Sequence, residues 1–332
     1  MGDGAEMARI PGMSGAGLAG EEQTRRPIVT ARVPASTANL GPGFDAVGLA
    51  LDCYVTVTLA AAARTEVVPR GPMLAGTPAT EDNLVYRAVR RVFERLGHSV
   101  PPLRVEVESD IPLARGLGSS AAAIVGGLVA ANAYLGEPLA RDELLAMATE
   151  LEGHPDNVGA ALFGGFVVAV RQDDGRVPYL RLPVPEELVV VAAIPDMPLE
   201  TAKARRVLPE AVSRRDAAYA LGQTGLLVAA IATGRWDRLA DAMRDRLHQP
   251  YRLPLIPGAE RMVREAADHG ALGAALSGAG PTVVAFTFAE AERVAAFFRR
   301  VMAESGLSGT VRTFRPDGEG ARIWRNGKAE GR

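Results

Sequence analysis

The segment Pro112-Leu-Ala-Arg-Gly-Leu-Gly-Ser-Ser-Ala-Ala-Ala joins a glycine turn to a helix of small apolar residues, and no other segment narrows the fold so far. Gly116 and Gly118 permit a tight turn and close backbone approach. Ser119 and Ser120 then open the helix, whose first N–H groups have no partner within it and whose dipole is positive at this end. Such an end is either an ordinary cap under tight packing or an anion site, and a triphosphate suits the second reading. The lysine of a GxxxxGK-Ser/Thr loop is absent, so this is not a Walker loop. A dinucleotide fingerprint fits poorly as well: its third glycine is missing, and the preceding Ile-Pro makes a poor first Rossmann strand. A serine hydroxyl at the helix start also offers Mg²⁺ a hard oxygen donor.

Composition removes whole classes of function. The 332 residues suffice for two compact domains, and with 48% apolar and 23% charged residues a sizeable core can form. A net charge of -2 argues against nucleic acid or an anionic membrane as the main partner. The single cysteine, Cys53, excludes an internal disulfide framework, a Cys-rich zinc site and an iron–sulfur cluster. Lys203 and Lys328 are the only lysines, and neither stands in a motif for a pyridoxal Schiff base or a phosphate-loop lysine. No stretch approaches ~20 uninterrupted apolar residues, so no membrane span is expected. Residues 1–27 are rich in Gly and Ala, interrupted by Arg9, Glu21, Glu22, Arg25 and Arg26, and lack a signal-peptide core. They are expected to form a flexible leader on a cytoplasmic protein.

From Ile28 the pattern becomes regular. IVTARV reads as a strand ending at Pro34, ASTANLGPGFD as a polar loop, LDCYVTVTLA as a second strand, and EDNLVYRAVRRVFERLG as an amphipathic helix stopped by Gly97. LRVEVES alternates as a strand, RDELLAMATELEG is a helix, and HPDNVGAALFGGFVVAV reads as a loop and turn running into a strand. The polar QDDGRVP places a soft boundary near residue 175, dividing domains 28–175 and 176–332. Beyond it come the strand LVVVAAIP, helices near residues 214–232, 236–247 and 257–269, and the strand–glycine turn–strand ALGAALSGAGPTVVAFTF. Strands and helices mixed without a βαβ rhythm indicate an α+β fold.

Two further glycine-rich loops accompany the first: residues 34–52, with Ser36, Thr37, Asn39 and Asp45 among glycines, and Ser277-Gly-Ala-Gly-Pro-Thr282. The three, in this order, resemble the motifs of the GHMP kinases, a family that phosphorylates small-molecule alcohols with ATP. VPASTANLGPGFDAVGLALD, EGHPDNVGAALFGGF, ETAKARRVLP, QPYRLPLIPG and the final ARIW are similar to the branch that phosphorylates an amino-acid hydroxyl. The similarity runs from about Ile28 to the C-terminus. It implies a two-domain α+β fold, with a ribosomal S5 domain 2-like N-terminal half, a ferredoxin-like C-terminal half, the active site between them, and a homodimer.

The resemblance also implies roles. Pro112, Leu113, Ala114, Arg115, Gly116, Leu117, Gly118, Ser119, Ser120, Ala121 and Ala122 would line ATP, with Asn83 at the adenine edge. Ser120 and Glu152 would hold Mg²⁺, Glu150 being a helix-surface carboxylate. An amino-acid acceptor presents an ammonium, a carboxylate and an attacking hydroxyl. Asp45 suits the ammonium by charge, Asn39 and Asn157 suit a hydroxyl or amino group, and the forks of Arg205 and Arg252 suit the carboxylate. The resemblance points to the same five positions and adds Thr201; Asn157, Arg205 and Thr201 stand nearest the reaction. Asp156 is assigned no proton transfer, since phosphoryl transfer asks little of a base. His154 reads as structural, and His98, His248 and His269 receive no role. Two alternatives remain: a family member acting on mevalonate or a sugar, and a non-catalytic ATP-binding homologue.

Overall fold

The computed structural model describes residues 27–329. The expected leader, Pro27 apart, lies outside the described residues. The chain is α+β, built on two mainly antiparallel sheets.

The first sheet grows from a long hairpin, β1 (Val29–Asn39) and β2 (Gly43–Ala61), followed outward by β4 (Leu103–Ser109) and β3 (Glu66–Arg70). Pro34 does not end β1. The ladder slips in register between Pro34 and Ala35, and the strand continues to Asn39. The residues from 34 on read as loop therefore lie largely on two strands, and the turn itself is only residues 40–42. Pro34 is tolerated where pairing is irregular, because a bulge can spare the missing N–H donor.

Helices cover one face of this sheet. α2 (Ser119–Tyr134) packs on β1 and β2, α1 (Leu84–Arg95) lies against α2, and α3 (Arg141–Glu152) and α4 (Pro155–Phe163) complete the layer. HPDNVGAALF is thus a helix rather than a loop. Its Pro155 occupies the first turn, where a proline costs no hydrogen bond, and every residue of α4 is buried.

β5 (Phe166–Ala169) pairs with β2 and with β6 (Tyr179–Leu182), so residue 175 falls inside a hairpin of the first sheet. β11 (Arg322–Arg325) and β12 (Lys328–Ala329) also return to that sheet, beside β1. The two sheets are therefore not two contiguous halves of the chain.

The second sheet runs β10 (Gly309–Phe314), β7 (Val189–Pro195), β9 (Val283–Thr287), β8 (Gly273–Leu276). Val189, Val191 and Ala193 of β7 pack under α9 (Ala259–Glu265) and α10 (Ala291–Glu304). Val190, Ala192 and Ile194 face the main core, which reaches Leu227 and Ile231 of α6 (Arg214–Ala232). Cover on both faces explains why LVVVAAIP reads as one unbroken apolar run. The segment 236–247 holds only a short 3-10 turn and α7 (Leu239–Ala242), a shorter helix than expected.

Candidate active site

The glycine turn delivers what its residues promised. Gly118 is the N-cap of α2, at φ 68°, and provides no side chain to the first turn. A Cβ at Gly118 would stand 2.1 Å from the Ser36 hydroxyl oxygen, so glycine is required by both dihedral and space. Two other loops clamp the turn. Ser277 donates its hydroxyl to Gly116 O at 2.6 Å, and Ser36 N donates to Leu117 O at 3.1 Å.

These loops enclose a cavity of about 240 Å³. Its walls bring together Asn39, Asp45, Gly116, Gly118, Ser119, Ser120, Glu152, Asn157, Thr201, Arg205 and Arg252, the expected acceptor, phosphate and metal residues. A second cavity of about 170 Å³ shares Ser119 and Ser120 and is otherwise mainly apolar, walled by Val55, Leu74, Pro78, Val107, Leu113 and Ala123. A larger cavity, about 700 Å³, opens beside α8 (Gln249–Arg252) but contains none of the expected residues. Its Arg244, Arg246 and Arg264 are each paired with a carboxylate.

Ser120 donates its hydroxyl to Glu152 Oε1 at 2.5 Å. Burial raises the Glu152 carboxyl above its ordinary value, against the opposing hydrogen bond from Ser120. Glu150 points elsewhere and pairs with Arg91 at 3.1 Å.

Asp45 and Arg205 hold each other in a bidentate ion pair of 2.7 and 2.9 Å. Arg205 stands one helical turn after Thr201 on α5 (Thr201–Arg206). Arg252 is only 1% exposed and donates to Ala204 O at 3.1 Å and, over 3.4 Å, to Gly278 O. Burial, then the charge of Arg205, pulls its guanidinium down to about 10, which leaves it cationic at neutral pH. Both guanidinium groups face the Phe44 ring, at 5.5 and 5.2 Å from its centroid.

The family description of the GHMP kinase N-terminal domain matches residues 83–165, and that of the C-terminal domain matches residues 227–304. The homoserine kinase of Deinococcus radiodurans is 50% identical over 88% of this chain and 95% of its own. That of Carboxydothermus hydrogenoformans is 48% identical over 92% and 99%. The chain belongs to the GHMP kinase family. A crystal structure of homoserine kinase from Cytophaga hutchinsonii superposes on this kinase with a TM-score of 0.81 at 30% identity, covering 91% of this chain and 99% of the other.

Several expected ligand-binding residues of this GHMP kinase are engaged within the protein. Asn39 donates to Gly278 O and accepts from Asp45 N, both at 2.9 Å, so it ties two loops together. Asn157 donates to the Ser36 hydroxyl at 2.9 Å, and its Oδ1 has no protein partner among the described residues. Arg115 donates to Leu113 O and Asp196 O, linking the phosphate loop to the end of β7. Asn83 caps α1: its Oδ1 accepts from Val85 N at 2.9 Å, and its Nδ2 donates to Pro78 O at 2.7 Å. That engagement counts against a direct bond to an adenine edge, although Asn83 does line the apolar cavity. Asn83→Ala should lower unfolding stability by about 1 kcal/mol, read by denaturant titration. Asn83→Asp keeps the cap acceptor. A raised ATP KM in that variant at unchanged stability would return the residue to the nucleotide.

Ser120 and Glu152 fit Mg²⁺ in this kinase: both offer hard oxygens, and the Glu152 carboxylate makes no ion pair among the described residues, His154 and Arg205 acting on it only from a distance. Asp45, His154 and Asp156 also place ligand atoms within 4.8 Å of one another. Their charges are already met, His154 Nδ1 lying 2.5 Å from Asp156 Oδ1 and Asp45 being held by Arg205.

His248, to which no role was given, is fully buried beside the acceptor residues. Its one sequence signal is its position four residues before Arg252. Burial pushes the imidazole below its ordinary 6.5, with Asp245 and Asp45 opposing the shift and Arg252 reinforcing it. A depressed folded-state value contributes stability above about 6.5 that is lost as pH falls through it. The melting-temperature gap between the native chain and His248→Asn should therefore narrow between about pH 7.5 and about pH 5.

Proposed function

We propose that this GHMP kinase transfers the γ-phosphoryl group of ATP to the side-chain hydroxyl of L-homoserine, giving ADP and O-phospho-L-homoserine, a step of threonine biosynthesis. The observation that carries the reading is a pair of opposite charges, Asp45 and Arg205, joined by Arg252 in the cavity that also holds the phosphate loop. A zwitterion satisfies both signs: its ammonium replaces Arg205 at Asp45, and its carboxylate meets the two arginines. A neutral polyol or a lone carboxylate leaves one sign unmet.

The chain's own residues then do the following. The free N–H groups at the start of α2 receive phosphate oxygens, and their fixed dipoles stabilise charge in the transition state without rearranging. Bound Mg²⁺ would be held by Ser120 and Glu152 and would neutralise charge on the triphosphate. Asn157, fixed by Ser36, offers its free Oδ1 to the acceptor hydroxyl. Asp156 Oδ1 is engaged by His154 and by Asn157 N at 2.7 Å, so the geometry favours catalysis by positioning over transfer to a dedicated base.

The test is ADP release with Mg·ATP across L-homoserine, 3-aminopropan-1-ol, 4-hydroxybutanoate, mevalonate and galactose. Strong turnover of L-homoserine with weak turnover of the two analogues lacking one charge is expected. Preference for mevalonate or galactose would overturn the substrate assignment while leaving the phosphate loop intact. ATP binding without turnover of any alcohol would point to a non-catalytic homologue.

A further inference from the structure

His248 Nε2 lies 2.8 Å from Gly41 O. A carbonyl oxygen only accepts, so Nε2 carries the proton and Nδ1 is left bare in the neutral ring. That bare Nδ1 lies 3.2 Å from Arg252 NH1 and accepts from it. A buried chain thus runs from the backbone of the first glycine loop, through the imidazole, to the guanidinium at the acceptor cavity. The ring is also held on its flat side, stacked on Phe44 with centroids 5.3 Å apart. From below, Asp245, with its side chain fully buried, accepts the backbone N–H groups of Leu247, His248 and Gln249 and so fixes the start of α8. The charged groups facing the imidazole are Asp245 on its own segment, Arg252 on α8 and Asp45 at the start of β2.

We infer that His248 is a positioning residue for the acceptor carboxylate: as a neutral hydrogen-bond acceptor it sets the direction of the Arg252 fork and couples it to the glycine loop at Gly41. The inference rests on Arg252 meeting that carboxylate. With Nε and NH1 engaged inside the protein, NH2 is the nitrogen left to the carboxylate, and a long flexible stem aims it in one direction only if the plane of the fork is fixed. Ala204 O holds Nε, and His248 holds NH1 from a second direction. An imidazole proton at Nδ1 would replace attraction by repulsion between two donors, so the fully buried, loop-tied environment that keeps the ring neutral is part of the device.

The test compares His248→Ala, His248→Asn and His248→Gln, singly and with Arg252→Ala. Asparagine places an acceptor near the Nδ1 position, whereas glutamine restores only the donor toward Gly41 O. In His248→Ala the KM for L-homoserine should rise by about 10- to 100-fold, with the ATP KM within about twofold, as expected for losing one hydrogen bond to a charged group. His248→Asn should recover most of that loss and His248→Gln little of it. On the Arg252→Ala background His248→Ala should add almost nothing to the L-homoserine KM, because the two act through one another. Parallel rises in both KM values, better rescue by glutamine than by asparagine, or additive effects in the double variant would each overturn the positioning role. Failure of the unmodified protein to phosphorylate L-homoserine would instead remove the substrate reading, and the carboxylate role with it. Melting temperatures of the Asn and Gln variants separate these results from loss of fold.

Discussion

Glu152→Gln will lower kcat by about two to three orders of magnitude while leaving the fold intact. The size follows from removing a fixed charge that stabilises the phosphoryl-transfer transition state through a metal. Stability will not suffer, because the carboxylate is raised by burial and glutamine can still accept from the Ser120 hydroxyl. Glu150→Gln is the control. That side chain pairs with Arg91 and is 44% exposed, so its loss should change neither rate nor stability appreciably. Steady-state kinetics at several Mg²⁺ concentrations would check the assignment. A full loss in the Glu150 variant with a silent Glu152 variant would transfer the metal role to Glu150.

Arg252→Ala comes next in size, and its effect falls on the acceptor. The KM for L-homoserine should rise by about 100- to 1000-fold, as for truncating one partner of a buried charged contact. Here the fold also pays: Ala204 O and His248 Nδ1 lose their donor while Gly278 O keeps that from Asn39, so about 1–3 kcal/mol of stability goes as well. Arg205→Ala provides the contrast. Its side chain is 38% exposed and its ion pair with Asp45 faces the cavity, so stability should hold while the KM rises by a smaller factor. Equal KM changes for ATP and for L-homoserine in both variants would count against the carboxylate role.

The three glycine loops, the helix after GLGSS, the α+β class and the set of residues lining the cavity could all be read from local chemistry and resemblance. Other features depended on distant partners. Pro34 and the polar residues after it look like loop, yet β2 supplies a ladder partner as far as Asn39, with a slip in register to admit the proline. HPDN carries turn residues, but Pro155 at a helix start and small side chains beyond it fit a buried helix. The return of ARIW to the first sheet has no local signal, because only the edge of β1 creates it. Asp45 and Arg205 were each legible as charges for a zwitterion. Their mutual bond, across 160 positions, was not. Asn83 shows the reverse case: the resemblance sets it at the adenine edge, yet the hydrogen bonds it makes are those of a helix cap.

The interlocking of the glycine loops bears on the order in which activity appears during refolding. Asn39 bonds Gly278 across 239 positions, Ser277 bonds Thr37 across 240, and Asn157 bonds Ser36 across 121. The cavity is therefore not complete on either sheet alone; it comes into being when the sheets dock and these long loops close, the entropically slow contacts of the chain. Helix and strand signals should recover ahead of catalytic competence, and the last kinetic phase should carry the return of phosphoryl transfer. Within the folded protein the same ties mean that local opening at Ser277–Gly280 would loosen the phosphate turn and the acceptor pocket together, so nucleotide and amino acid should each slow hydrogen exchange at the other's wall.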